Sequence, residues 1–390
     1  MRRNFTLKSE SKKFRKMSKA CREAVYLPMS LLIIFCSGGT STNEPTSLES
    51  LILPPGFVIT EFAQNLGKAR GMGVSPAGDL FVCSLTAGEI IVLPDRNSDG
   101  KADENIVFAQ GLQSPHSVAF YNGYVYVGES DKISRFRDDN NDLIADAAGE
   151  TVVAGLPTSG HFTKTVAFGP DGMMYVSIGS SCNVCEENDP RRAAVVRYDP
   201  DGGGETVFSS GLRNSVALAF HPESGELWAA NNGRDRIGDD LPPEEINILS
   251  VGKHYGWPYC YGNGIMNPEY VNDPSLCDDV ITPVFDMQSH SAPLGMRFYN
   301  GGQFPAEYRG DLFIAFHGSW NRSKKTGYKV VRVRVEDGLP VSIEDFVFGW
   351  LMPDETRWGR PVEVEISSDG SMFISDDYQG TVYKITYTGG

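Results

Sequence analysis

One pattern recurs six times along the chain and restricts the folds open to it. Each copy joins a short run of β-branched and aromatic residues to a second such run through a turn rich in Pro, Asp, Asn or Gly. The copies begin at Arg70, His116, Thr165, Asn214, Leu294 and Arg360. Two such runs joined by a turn are typical of a β-hairpin. Six hairpins with similar turn chemistry therefore predict a repeat fold.

The spacing of the copies predicts a β-propeller. They recur at intervals of roughly 45 to 80 residues, with further strand-like runs between them and no convincing amphipathic helix. Four-stranded antiparallel blades are built from such units, and radial repetition protects their edges. The sequence therefore predicts an all-β fold, a six-bladed β-propeller over residues 51–390. A β-sandwich would not repeat one hairpin six times.

The first 50 residues are typical of an exported protein. Residues 1–23 carry nine basic and two acidic side chains, and the apolar run 25–35 is too short to cross a bilayer as a helix. We interpret residues 1–36 as a signal peptide with a lipoprotein-like junction at Cys36, and residues 37–50 as a flexible tether. Because Phe35 is larger than the residue usual before a lipidated cysteine, cleavage without lipid and an uncleaved anchor are alternatives. The predicted location is the periplasm or the cell envelope, with membrane contact only through the lipid anchor.

The charge of the chain argues against nucleic-acid binding. The formal net charge is −15, and setting the basic leader aside leaves −22 on the remainder. A field of this sign repels phosphate backbones, and no stripe of Lys and Arg interleaved with aromatic residues follows the leader. Nucleic acid is therefore not an expected partner.

The cysteines after the leader predict two disulfides. Cys182 and Cys185 form a Cys-x-x-Cys pair, while Cys260 and Cys277 bracket a loop rich in Gly, Asn and Pro. In an oxidising compartment such pairs are read as disulfides, and Cys83 is left as a buried thiol. A metal half-site or a redox pair is the alternative for Cys182 and Cys185.

Polar residues occur where the hairpins predict one mouth of the propeller channel. Residues just before each first run and just after each second run meet there: Arg70, His116, 161–164, Arg213, Asn214, Arg360, Asn231, Asn232, Asp239, Asp240, 317–322, Asp376 and Asp377. Their charge predicts a polar ligand site, to which we assign His116 as a binding residue. His161 is a candidate base near neutral pH, and Arg213 and Arg360 suit bidentate pairing with ligand carboxylates. Structural hydrogen bonding and surface ion pairs are the alternatives for these residues.

Two segments resemble calcium-binding loops. The first places Asp95, Asn97, Asp99 and Asp103 at alternating positions, and the second repeats the pattern from Asp138 to Asp146. Alternating oxygen ligands suit calcium, but neither segment carries Glu at the twelfth position of an EF-hand. For both segments the sequence is compatible with a structural calcium site and with a turn that binds no ion.

Several motifs together identify a family resemblance. His161 stands eight residues before Gly169-Pro-Asp-Gly, and Gly211-Leu-Arg-Asn214, Glu245-Ile-Asn and Gly359-Arg-Pro follow in order. In this combination the chain resembles the soluble quinoprotein sugar dehydrogenases. The segments 180–185 and 316–322 are most similar to the sorbosone dehydrogenase-like branch.

The resemblance implies an enzyme that uses pyrroloquinoline quinone (PQQ) and calcium. His161 would remove the proton of a sugar hydroxyl while hydride passes from the same carbon to C5 of the quinone. Further residues would contact PQQ, namely Arg213, Asn214, Arg360, His116, Trp320 and Arg322. Asp239 and Asp240 are the candidates for holding the cofactor calcium. Because Glu186 follows Cys185, no haem motif Cys-x-x-Cys-His is formed there, so we expect a separate electron acceptor.

Two other functions are compatible with a six-bladed propeller. A calcium-dependent lactonase or esterase would bind its ion with side chains such as those of Asn214, Asn231, Asn232 and Asp376. A non-catalytic ligand-binding propeller would use its surface loops instead. Fold alone does not choose among these functions, because one fold hosts many sites.

Overall fold

The computed structural model describes residues 47–389, and that region is built almost entirely of β-strands. Its helices are four short 3-10 turns, at Leu48–Ser50, Pro268–Tyr270, Pro274–Cys277 and Ala306–Tyr308. None of the helices in this region is long and apolar enough to cross a membrane. The predicted signal peptide and most of the predicted tether lie outside the described residues.

The first three blades follow the chain in order. Blade 1 contains β2 (Ala69–Val74), β3 (Leu80–Ser84), β4 (Glu89–Leu93) and β5 (Ile106–Gln110). Blade 2 contains β6 (Ser117–Tyr121), β7 (Tyr124–Gly128), β8 (Ile133–Phe136) and β9 (Glu150–Val153). Blade 3 contains β10 (Lys164–Phe168), β11 (Met174–Ile178), β12 (Ala194–Tyr198) and β13 (Thr206–Ser210), with β17 (Lys253–His254) added in parallel to β13.

The last three blades include an insertion and the closure of the ring. Blade 4 contains β14 (Ala217–Phe220), β15 (Leu227–Asn231), β16 (Glu244–Leu249) and β20 (Phe285–Met287), with the small hairpin β18 (Cys260–Tyr261) and β19 (Ile265–Met266) inserted. Blade 5 contains β21 (Pro293–Phe298), β22 (Leu312–Phe316), β23 (Lys329–Glu336) and β24 (Leu339–Phe348). Blade 6 contains β25 (Pro361–Ile366), β26 (Met372–Asp376), β27 (Thr381–Tyr387) and β1 (Phe57–Ala63).

The inner strands of the six blades form a ring. Strands β2, β6, β10, β14, β21 and β25 each contact the next, and β25 contacts β2. Each of these strands begins one of the hairpins predicted from the sequence. The prediction of a six-bladed β-propeller is therefore confirmed.

The strand next to the inner one is buried on both faces. Every residue of β3, β11, β22 and β26 is buried, because each blade is covered by a neighbouring blade on either side. This double covering explains why the second run of each repeat is nearly continuously apolar and does not alternate with polar residues.

The two ends of the described chain meet in blade 6. Strand β1 pairs antiparallel with β27, from Phe57 opposite Tyr387 to Ala63 opposite Val382. The outermost strand of the last blade thus comes from the start of the propeller and closes the ring. The turn at Leu48–Ser50 precedes it, so the last residues of the predicted tether are ordered beside the propeller.

Candidate active site

The starts of the inner strands and the ends of the second strands lie at one mouth of the channel, as the repeats predict. Arg70, in β2, pairs with Asp377, which follows β26, at 2.7 Å. Asn232, after β15, donates from Nδ2 to the carbonyl oxygens of Asn214 (3.0 Å) and Pro293 (2.9 Å). The mouth thus brings together residues from distant parts of the chain.

A cavity of about 170 Å³ at this mouth contains much of the predicted site. It is lined by His161, Arg213, Asn214, Asn232, Gly233, Asp235, Glu244, His290, Ala292, Gly318, Trp320 and Asn321. Four predicted catalytic or cofactor residues are in this lining, whereas His116, Arg322 and Arg360 are not. A larger cavity of about 470 Å³ is lined by the far ends of the inner strands, including Phe120, Phe168 and Phe298. The smaller cavity is the candidate active site, because the predicted base His161 and the predicted cofactor residues Arg213 and Asn214 line it.

His161 has the tautomer and charge that a base requires. Its Nδ1 lies 3.0 Å from the carbonyl oxygen of Ser180, which can only accept, so Nδ1 carries the proton. The other ring nitrogen, Nε2, is then an unprotonated acceptor, and it has no protein partner among residues 47–389. Burial and the Arg213 guanidinium lower the pKa of His161 to about 4. The imidazole is therefore neutral at pH 7.

Gly179 allows His161 and Asn214 to approach each other. A Cβ at this position would lie 2.5 Å from Cβ of His161 and 2.6 Å from Oδ1 of Asn214. Neither distance is compatible with a side chain at residue 179. The positions of His161 and Asn214 beside residue 179 thus depend on a glycine there.

Arg213 donates all of its N–H groups to the protein. Nε donates to the Asn183 carbonyl (3.1 Å), and Nη1 donates to the carbonyls of Asn232 (3.3 Å) and Gly233 (2.7 Å). Nη2 donates to Oδ1 of Asn183 (3.0 Å) and to Asp235 (2.9 Å). A guanidinium has five such donors, so Arg213 has none left over for bidentate pairing with a ligand carboxylate. In this arrangement Arg213 can attract an anionic ligand through its positive charge, but it has no N–H group left to donate.

Arg360 keeps donors free for a ligand. Nε donates to the carbonyl of His317 (3.1 Å) and Nη2 to that of Gly318 (3.2 Å), which lines the cavity. Its Nη1 has no protein acceptor within the described part of the chain. Of the two arginines singled out from the sequence, Arg360 is thus the one suited to hold a carboxylate.

His116 is buried and does not line the cavity. Its side chain is buried, and its Nδ1 has no hydrogen-bond partner within residues 47–389. Burial and the charges of Arg70 and Lys164 lower its pKa well below the usual value. A contact between His116 and a ligand in the cavity stays a prediction.

A second histidine is part of a charged network beside the cavity. Nε2 of His317 donates to Oδ1 of Asp377 (2.9 Å), whose Oδ2 accepts from Arg70 (2.7 Å). Burial lowers the pKa of His317 to about 4. Burial alone would raise the pKa of Asp377, but His317 and Arg70 hold it below its usual range. The network therefore has an ionised carboxylate and a neutral imidazole at pH 7.

The aromatic and acidic candidates lie on the rim. The Trp320 side chain is 67% exposed, and the guanidinium of Arg236 stands 5.8 Å from its ring centre. Arg322 donates to the Asp239 carbonyl and to Oδ1 of Asp240 (2.7 Å). Oδ1 of Asp239 accepts from the backbone of Ser323. Both carboxylates are thus engaged by protein donors, so calcium there would compete with Arg322, and the assignment stays a prediction.

The predicted calcium loop at Asp95 is closed by its own hydrogen bonds. Both carboxylate oxygens of Asp95 accept backbone N–H groups, from Asp99 and Gly100, and Asp103 accepts that of Arg96. The segment from Asp138 repeats this pattern. Such bonds close a turn with or without an ion. Calcium binding at either segment therefore stays a prediction.

Disulfides join Cys182 to Cys185 and Cys260 to Cys277, and Cys83 is a free buried thiol. Together with Glu187, the first pair is the one cluster of three or more Cys, His or carboxylate ligands found close enough for a metal ion in the described region. Because both sulfurs are bonded to each other, this pair does not act as a metal half-site in this structure.

Several residues at or beside the cavity were not predicted from the sequence, and one of them is His290. Glu244 lines the cavity and accepts the backbone N–H groups of Gly233 (2.6 Å) and Ala292 (3.2 Å), and burial raises its pKa to about 8. Asp235 pairs with Arg213, and Asn183 binds both of them. The sequence assigned no role to these residues, although Asn183 lies in the segment 180–185 that carries the family resemblance and Glu244 directly precedes Glu245-Ile-Asn.

Residues 51–388, almost the whole propeller, match the TrAA12-like family. The chain belongs to the TrAA12-like family. This TrAA12-like protein is 31% identical over 377 residues to an uncharacterized protein of Borreliella burgdorferi, covering 92% of this chain and 96% of the relative. It is 30% identical over 251 residues to the aldose sugar dehydrogenase YliI of Escherichia coli, covering 59% of this chain and 61% of the relative.

A solved structure has the same fold as this TrAA12-like protein. The holo form of the PQQ domain of the pyranose dehydrogenase from Coprinopsis cinerea matches it with a TM-score of 0.74 and 22% identity, covering 86% of this chain and 97% of that domain. The resemblance to soluble PQQ-dependent sugar dehydrogenases, which are oxidoreductases, is thus confirmed. Membership of the sorbosone dehydrogenase-like branch stays a prediction.

Proposed function

We propose that this protein is a PQQ-dependent dehydrogenase of a sugar, sugar aldehyde or related polyol, with His161 as the general base. The observation that carries the proposal is the bond from Nδ1 of His161 to the Ser180 carbonyl, which leaves Nε2 to receive a hydroxyl proton. When bound, PQQ supplies the hydride acceptor. A neutral base and a nearby guanidinium suit this chemistry, because the proton and the developing negative charge are received by different groups.

The residues of the mouth suit a cofactor that carries three carboxylates. Arg360 has a free Nη1, Arg213 adds a buried positive charge, and Trp320 presents an exposed ring beside the cavity. Arg213 is paired with Asp235, whereas Nη1 of Arg360 has no acceptor among the described residues, so Arg360 is the arginine with a donor left for an anionic cofactor. We assign Arg360 to the carboxylates, and Asn214 and Arg213 to the region of the reacting carbonyl.

The hydrolase alternative is less well supported, because two of the four side chains assigned to it are already occupied. Oδ1 of Asn231 accepts the backbone N–H of Asn214, and Nδ2 of Asn231 donates to Glu245. Oδ1 of Asp376 accepts three backbone N–H groups, from Arg360, Tyr378 and Gln379. Oxygens occupied in this way are poorly placed to bind a calcium ion.

The wider context is also a proposal. We expect an exported protein, periplasmic or anchored to the cell envelope by a lipid on Cys36, that passes electrons to a separate acceptor. The basic and apolar leader supports export, and the two disulfides suit an oxidising compartment.

The test is a titration of the purified full-length protein with PQQ in the presence of calcium, followed by absorbance on adding a panel of aldoses. We expect stoichiometric binding and reduction of the quinone by at least one sugar. His161→Ala should still bind PQQ but lower turnover by about a hundredfold or more. A matched control is His221→Ala, since His221 is buried against Trp228 and Phe298 away from the cavity. Failure of the wild-type protein to bind PQQ would reject the proposal and make lactone hydrolysis the next assay.

A further inference from the structure

Asn183 lies between the two cysteines of the Cys182–Cys185 disulfide and makes five hydrogen bonds. Its carbonyl oxygen accepts from Nε of Arg213 (3.1 Å) and from Nε1 of Trp257 (3.1 Å). Its Oδ1 accepts from Nη2 of Arg213 (3.0 Å) and from the backbone of Asp235 (2.8 Å), while Nδ2 donates to the Asp235 carbonyl (3.1 Å). The hydrogen-bonding groups of this side chain are therefore all engaged by Arg213 and Asp235.

Asn183 orients Arg213 in two ways. It accepts two of the five N–H donors of Arg213 directly. It also holds the backbone of Asp235 at both its N–H and its carbonyl, and the Asp235 carboxylate accepts another of these donors at 2.9 Å. More than half of the bonds that fix the guanidinium thus depend on Asn183.

The loop that carries Asn183 also contacts the proposed base. Ser180 accepts from Nδ1 of His161, and Oγ of Ser180 donates to the Cys182 carbonyl (2.7 Å). On the same loop, Glu187 accepts from the backbone and the hydroxyl of Ser181. The disulfide closes this loop, so residues 180–187 connect the groups that hold His161 with the group that holds Arg213.

We propose that Asn183 is a positioning residue that fixes the guanidinium of Arg213 before PQQ binds. This inference rests on the proposed function, since Arg213 matters for the cofactor only if PQQ occupies the cavity. A charged group that is already held in place loses little conformational freedom when the ligand arrives, and it needs no reorganisation during the reaction. Because Arg213 has no spare donor, its effect depends on where its charge lies, and Asn183 determines that position.

The test compares Asn183→Ala with Asn183→Asp and with Asn267→Ala. The aspartate variant keeps the acceptor for Arg213, whereas alanine removes all three side-chain bonds. Asn267 is a matched control, because it is a buried asparagine that accepts from another buried arginine, Arg234 (3.1 Å), and donates to the Pro258 carbonyl (2.7 Å). Neither Asn267 nor Arg234 lines the cavity.

Each variant is measured in three ways: PQQ affinity by titration with calcium present, melting temperature without PQQ, and a crystal structure without PQQ. We expect Asn183→Ala to raise the Kd of PQQ by about tenfold or more. Asn183→Asp keeps the acceptor but adds a negative charge beside Arg213, so its Kd should lie between those of the wild-type protein and Asn183→Ala. Asn267→Ala should leave the Kd unchanged even if it lowers the melting temperature. In the crystals, Arg213 should be displaced in Asn183→Ala and in place in Asn183→Asp.

An unchanged Kd in Asn183→Ala, or an equal loss in Asn267→Ala, would overturn the inference. The crystal structures separate it from the proposed function. If the wild-type protein binds no PQQ but Arg213 moves only in Asn183→Ala, the function fails while the positioning of Arg213 stands. If Arg213 stays in place in Asn183→Ala, the inference fails whatever the cofactor does.

Discussion

At the scale of single residues, His161 determines the pH range in which the proposed reaction proceeds. Burial and Arg213 lower its pKa to about 4, so the base form persists into acidic solution. We expect kcat/KM to be constant above about pH 5 and to fall roughly tenfold per pH unit below about pH 4. An unperturbed imidazole would place this decrease near its ordinary pKa of about 6.5.

The measurement is a pH profile of kcat/KM for the protein loaded with PQQ and calcium. Circular dichroism at each pH separates loss of activity from unfolding. A decrease centred near pH 6.5 would show that burial and Arg213 do not lower the pKa of His161 as described.

Gly179 provides a second prediction at this scale. Gly179→Ala places a methyl group against His161 and Asn214, which must move apart. A displacement of about 1 Å at a reacting group can lower the rate by up to about a hundredfold, so we expect kcat to fall at least tenfold with PQQ still bound. Gly302→Ala is the control, since a Cβ there meets nothing within 4 Å. Equal activities of the two variants would contradict the role of Gly179.

At the scale of strands, the two runs of each hairpin were predictable and the fourth strand of each blade was not. The second run is buried on both faces, which leaves a continuous apolar signal, as in Leu312–Phe316. Outer strands are partly exposed, and in β9 only Val153 is buried, so they carry no comparable periodicity. The pairing of β1 with β27 joins opposite ends of the chain, which no local pattern indicates.

The residues of the candidate site also divide into those that the sequence predicted and those that it did not. His161, Arg213 and Asn214 stand in motifs at inner-strand starts, where the repeats indicate one mouth. Asn183 and Asp235 act through loops that meet only after the blades are assembled, since they lie 52 residues apart. The sequence likewise did not predict that every N–H donor of Arg213 is used within the protein, because all five of its bonds are made to residues outside the motif Gly211-Leu-Arg-Asn214.

Closure by β1 leads to a stability prediction. Phe57 is buried and packs its ring against Phe304, Tyr308, Phe346 and Tyr387, with ring centres 4.8 to 5.1 Å apart. We expect Phe57→Ala to lower the free energy of unfolding by about 3–5 kcal/mol. Val58, the next residue, is 42% exposed, so Val58→Ala should change it by less than about 1 kcal/mol. Urea unfolding curves measure both, and similar values for the two variants would argue against ring closure as a source of stability.

At the scale of the whole molecule, buried acids make stability depend on pH. Burial raises the pKa values of Glu245 and Glu363 to about 7. Between about pH 4.5 and 7 the folded state then binds more protons than the unfolded state, so stability falls as pH rises. Glu363 lies in the channel lining beside Arg297 and Glu365, and no step of the proposed reaction uses it.

Glu363→Gln replaces one of these titratable carboxyl groups with an amide of nearly the same shape, which does not titrate. We expect the variant to match the wild-type protein near pH 5 and to be more stable near pH 8, by on the order of 3 kcal/mol. Urea unfolding of the cofactor-free proteins at several pH values measures the difference. An identical pH dependence in the two proteins would show that Glu363 does not retain its proton.

The pairing of β1 with β27 has a further consequence for the order of the chain. The backbone N–H of Thr388 donates to the Gly56 carbonyl at 2.9 Å, so the first strand begins beside the end of the last strand. A short linker between them, with a new opening in the exposed turn at 95–105, would give a circular permutant with the same six blades. The order of the strands along the chain is therefore separable from their arrangement in the ring. Each exposed turn away from the mouth is a candidate position for the new termini of a circular permutant.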